Sequence, residues 1–121
     1  MKNKVNYIFL MLLLVSPSSF AEYKTTDFTK EEYQMVMDAS GDYRNCLNEI
    51  AIGQTEQQND VRIIADYAMK KCAPVLEELY DYLVSANYAP EAVKRLVSSS
   101  SNKASNKLLS NLMRYMATKK Q

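Results

Sequence analysis

Cys46 and Cys72 are the two thiols in a chain of 121 residues. They lie 26 positions apart, far from the CxxC spacing of a redox dithiol. Two cysteines alone also make a poor zinc site. Lys70 and Lys71 precede Cys72, and such cations would activate a free thiolate. In a small exported protein an even count of cysteines reads first as a disulfide instead. There is no histidine. Ser-His-Asp and Cys-His catalysis, histidine-ligated metals and a neutral-pH histidine switch are therefore excluded. Glu77, Glu78 and Asp81 cluster, with Glu77 and Asp81 at i,i+4. Paired carboxylates can do acid–base work or hold a hard cation. No EF-hand spacing accompanies them, and they read as a solvated acidic face. Tyr80, Tyr82 and Tyr88 crowd one region. They could line a groove, but tyrosine suits half-buried core edges, which is the favoured reading. No nucleophile–base pair can be named, so the chain reads as a non-enzyme without cofactor or metal.

The formal net charge of +1 hides an uneven distribution. Residues 22–91 carry 14 acidic and six basic side chains, and residues 92–121 carry seven basic and no acidic ones. The basic set is Lys94, Arg95, Lys103, Lys107, Arg114, Lys119 and Lys120. Such asymmetry points to a basic binding end, or to a basic end that folds back on an acidic body.

Residues 1–21 read as a cleaved signal peptide. Lys2 and Lys4 open it, the apolar run Tyr7 to Val15 follows, and small Ser19 and Ala21 close it. The run is too short to span ~30 Å of hydrocarbon. Residues 22–28 read as an extended segment, and 29–121 as one all-α domain of about four helices.

Helix signals run through that domain. Thr29-Lys30-Glu31-Glu32 has the spacing of a capping box. Tyr33, Val36, Tyr43, Cys46, Leu47, Ile50 and Ala51 then recur on one helical face. Gly41 breaks the pattern and marks a candidate kink. Val61, Ile64, Ala65, Ala68, Cys72, Val75, Leu79 and Leu83 form the clearest stripe, with Pro74 expected to kink it. Pro90 suits a first helical position. Ser98 to Ser101 reads as a break or flexible joint. Leu108, Leu109, Leu112, Met113 and Met116 form the apolar face of a last helix. The expected helices are 30–58, 60–85, 90–97 and 103–117.

Paired cysteines in an antiparallel helical hairpin must stand at equal heights. An immediate turn at 53–55 would misplace them by ~15 Å, whereas a disulfide tolerates Cα separations to about 6.8 Å. The expected turn is therefore Asn59-Asp60, with either residue as N-cap. Gly53 then joins Ala51, Ala65 and Ala68 in allowing close helix approach. The competing reading is Gly53 as a helix stop with a longer loop to Asp60.

The stretches Tyr43-Arg44-Asn45-Cys46-Leu47, Asp60-Val61-Arg62 and Ala65 to Pro74 resemble small exported two-cysteine helical proteins of Gram-negative bacteria. The resemblance covers about 40 residues. It implies export and a bridged helical pair, and carries no activity or catalytic residue.

The functional expectation is a periplasmic binding or structural protein. Its basic end would engage an anionic protein, lipid head groups or another envelope component. Peripheral membrane contact fits that reading, and nucleic acid does not. The alternative is a small periplasmic chaperone or inhibitor, by analogy at the level of fold. The oligomeric state is left open.

Overall fold

The computed structural model describes residues 22–24 and 27–119. The expected signal peptide and Lys120 lie outside the described residues. Three helices follow in chain order: α1, Lys30–Gln54; α2, Val61–Ser85; and α3, Pro90–Lys119. Two reversals make α2 antiparallel to its neighbours and leave α1 and α3 pointing the same way.

α1 starts as its sequence dictates. The Glu32 amide donates to the Thr29 hydroxyl at 3.1 Å, and the Thr29 amide donates to the Glu32 carboxylate at 3.0 Å. Both halves of the capping box are present. Gly41 does not interrupt the helix. Tyr33, expected on the core face, is exposed; its neighbour Glu32 is buried instead.

The α1–α2 connection corrects the expected turn. α1 ends at Gln54, not residue 58, and α2 begins at Val61 after the N-cap Asp60. The Thr55 hydroxyl donates to the Ile52 carbonyl at 2.6 Å. The amides of Gln57 and Gln58 both donate to the Gln54 carbonyl at 3.0 Å. The chain thus climbs about one more turn before it reverses. Cys46 lies eight residues from the end of α1, and Cys72 eleven from the start of α2. That difference of three residues is ~4.5 Å of rise, which the extra turn absorbs. The bridge forms with a Cα separation of 5.9 Å. The longer loop to Asp60 is therefore the observed arrangement. Gly53 plays no part in close packing, because a Cβ there would meet nothing within 4 Å. Ala51, Ala65 and Ala68 do the close packing, and all three are buried.

α2 runs unbroken through Pro74, which sits on its exposed side. Its end is a Schellman motif. The Asn87 amide donates to the Val84 carbonyl at 3.0 Å, and the Tyr88 amide to the Leu83 carbonyl at 3.2 Å. Asn87 takes φ 74°, a left-handed conformation that asparagine tolerates. Pro90 then opens α3.

The expected third and fourth helices are one. Ser98 to Ser101 is helical, so the bundle has three helices, not four. The physical reason is continuity of the buried stripe. Val93, Val97, Ala104, Leu108, Leu112 and Met116 keep to steps of four and seven across the serines. Serine in a helix costs at most ~0.7 kcal/mol against alanine, whereas each buried aliphatic side chain contributes ~1.5–3 kcal/mol. No glycine or proline follows Pro90 to stop the helix.

The main core joins all three helices through Tyr43, Leu47 and Ala51, Ile64 to Leu76, and Ala104, Leu108 and Leu112. A second cluster of Ala39, Leu79, Leu83, Tyr88 and Val93 closes the other end, with Phe28 packed against it.

Candidate functional site

The chemistry-bearing residues sort into used and unused sets. Cys46 and Cys72 are spent in the disulfide, and no free cysteine remains. Glu77, Glu78 and Asp81 lie exposed on α2. Among the described residues no three His, Cys, Asp or Glu side chains gather to hold a metal ion.

The basic residues of α3 separate by position. Ala104, Leu108, Leu112 and Met116 turn inward, so the apolar face closes the bundle. Met113, expected on that face, is 59% exposed. Lys94, Arg95, Lys103, Lys107, Arg114 and Lys119 are all exposed. Lys119 has a structural contact: its ammonium donates to the Thr55 carbonyl at 3.2 Å and meets Glu56 at 3.1 Å. Lys94 stands on a different groove from Lys103 and Lys107.

Lys103 and Lys107 face α1, where Arg44 joins them. Met37, Ser40, Tyr43, Arg44, Ser100, Lys103, Ala104 and Lys107 line the first part of a groove, a part of about 530 Å³. Arg44, Asn45, Asn48, Lys107 and Asn111 line the next part. Asn48, Ile52, Asn111 and Tyr115 line the last. Adjacent parts share lining residues, so they follow one another along the seam between α1 and α3. Its walls rise from Met37 to Ile52 on one side and from Ser100 to Tyr115 on the other. Arg44, Lys107 and the amides of Asn45, Asn48 and Asn111 occupy the middle beside Leu47 and Leu108; Met37 shares one end with Lys103, Ser40 and Ser100, and Ile52 and Tyr115 stand at the other. No acidic side chain lines it. Among the described residues Arg44, Lys103 and Lys107 make no ion pair.

Arg44 is the functional candidate that the sequence concealed. It stands on an acidic helix, and nothing in its local pattern announces a partner on α3. Only the parallel placement of α1 and α3 brings it to Lys107, 63 positions later.

A second cleft, of about 690 Å³, lies between α2 and α3. Tyr43, Leu76, Tyr80 and Val97 give it an apolar floor, and Lys70, Glu77, Asp81 and Lys94 ring it. The Tyr43 and Ser101 hydroxyls meet at 3.2 Å within it. Both signs of charge line this cleft, whereas the α1–α3 groove is lined by cations with no acidic side chain.

Glu32 anchors the N-terminal segment. It is 4% exposed. Its carboxylate accepts from the Thr29 amide at 3.0 Å and the Tyr88 hydroxyl at 2.8 Å, and it meets the Lys24 ammonium at 3.4 Å. The Thr29 amide above all, then the Tyr88 hydroxyl, holds its pKa down to about 2. Burial, with the Glu32 carboxylate beside it, pushes Tyr88 above its ordinary value. The Lys24 amide also donates to the Asn87 carbonyl at 2.9 Å, and Asn87 Nδ2 donates to the Glu22 carbonyl at 2.9 Å. Together these bonds tie the start of the described chain to the α2–α3 turn.

The fold and site thus define a disulfide-bridged three-helix bundle with a cationic interhelical groove. No protein-family model matches the chain, and no curated protein or solved structure is significantly similar to it.

Proposed function

We propose that this is an exported, non-enzymatic binding protein of the periplasm that engages an anionic partner through its α1–α3 groove. One observation carries the reading: Arg44, Lys103 and Lys107 share a groove that has no acidic lining, and none of them makes an ion pair among the described residues. Unpaired cations in a concave site concentrate the field on an incoming anion. The Cys46–Cys72 bridge suits an oxidising compartment, and the leader-like residues 1–21 support export. The uneven charge distribution is now a statement about place. The basic residues of α3 are spread along it, and two of them combine with Arg44.

Pull-down from periplasm with wild-type protein and with an Arg44→Glu, Lys103→Glu, Lys107→Glu variant tests the reading. A salt-sensitive partner lost in the variant is expected. The same partners recovered by both proteins would overturn it.

Exposed Tyr33 and Met37, one turn apart on α1, favour a second reading, a small chaperone or inhibitor that captures apolar segments. Light scattering of an aggregating client at neutral and acid pH tests it. No suppression at either pH would remove it.

A further inference from the structure

Resting on the reading of an anionic partner, we infer that the occupant of the α1–α3 groove is a single acidic amphipathic helix of a partner protein, about 15 residues long. Each wall of the groove covers sixteen residues, Met37 to Ile52 and Ser100 to Tyr115, and so fifteen helical steps. At 1.5 Å rise that is ~22 Å, about four turns. The walls themselves are parallel helices, and a fourth helix laid between them completes a bundle with ridges in grooves.

The chemistry along the groove specifies the partner. Met37 at one end and Ile52 with Tyr115 at the other are exposed, and ask for apolar side chains about four turns apart. Lys103 near the Met37 end, and Arg44 with Lys107 in the middle, ask for carboxylates between the apolar ends. An extended peptide fits less well. Both walls are helices whose backbone groups are already bonded internally, so no main-chain ladder is on offer. A flat bilayer fits less well too, because the three cations line a seam between two helices and do not form one protruding face. A helix running opposite to α1 and α3 would also oppose their dipoles favourably.

The test is fluorescence anisotropy with the oxidised protein and a labelled 15-residue helix-forming peptide. The peptide carries leucines at both ends of one face and three glutamates between them. A second peptide has glutamine for glutamate, and phosphatidylglycerol vesicles form a separate arm. Arg44, Lys103 and Lys107 are exposed, so their charge reversals should leave the melting curve unchanged. The acidic peptide should bind and gain helicity. Each single reversal should weaken it about fivefold, and the triple reversal or the glutamine peptide about a hundredfold. Equal binding of both peptides, or no effect of the reversals, would overturn the inference. Vesicles that bind through these three cations while the peptide does not would overturn the helix and leave the anionic-partner reading standing. No binding of peptide or vesicle would overturn both.

Discussion

Leu108→Ala and Met113→Ala make a paired test of how α3 is used. The sequence pattern puts both residues on one apolar face. The structure buries Leu108 at 3% exposure and leaves Met113 at 59%. Leu108 sits in the main core with Leu47, Ala104 and Leu112. Truncation to alanine removes three carbons, worth ~2.4 kcal/mol at ~0.8 kcal/mol each. The cavity left among residues on separate helices adds to this, and Leu→Ala changes in such cores cost ~2–5 kcal/mol. About 3 kcal/mol is expected here. In a domain of this size that lowers Tm by ~12–24 °C, at ~4–8 °C per kcal/mol. Met113→Ala should stay within ~0.5 kcal/mol, as exposed sites do. Thermal unfolding of the oxidised protein followed by circular dichroism reads both. Equal effects, or a Leu108→Ala shift below about 3 °C, would show that α3 is not part of the core and would refute the packing described above.

Removing the bridge by a Cys46→Ala, Cys72→Ala double change should cost about 3.5 kcal/mol, from the loop entropy of a 26-residue separation; urea unfolding at neutral pH measures it. Ser99→Pro lies mid-helix in α3 and should cost ~3 kcal/mol or more, whereas a flexible joint at Ser98 to Ser101 would tolerate it; the melting curve decides. The Glu32 carboxylate has a folded pKa of about 2, below its ordinary 4.5. Its stabilising contribution is therefore complete above pH ~4.5 and is lost as pH falls towards ~2. Glu32→Gln should lower Tm at pH 7 and flatten its fall between pH 5 and ~2, as measured by melting across that range.

Local signals were legible where the chemistry is local. The Thr29–Glu32 capping box, the Asp60 N-cap, Pro90 at the head of α3 and the core stripe of α2 all rest on residues within a turn or two of one another. The cysteine pair also read correctly as a bridge, but its height argument assumed a tight turn. The extra turn at residues 55–58 absorbed the mismatch instead. Four serines resembled a linker because polarity masks the stripe from Val97 to Ala104, a step of seven. The burial of Glu32 was concealed for another reason: beside its legible Thr29 amide partner, it rests on the hydroxyl of Tyr88, 56 positions away. Arg44 had the same problem. Its companions on α3 are identified by packing, and no spacing within α1 reports them.

Amide NMR of the oxidised protein during titration with the acidic 15-residue peptide tests the cationic groove most directly. Shifts should concentrate on the walls, at Met37, Arg44, Asn48 and Ile52 of α1 and at Lys103, Lys107, Asn111 and Tyr115 of α3. They should diminish in the Arg44→Glu, Lys103→Glu, Lys107→Glu variant. Shifts confined to the outer face of α2 or to the α2–α3 cleft, or unchanged in the variant, would contradict the assignment of this groove as the binding site.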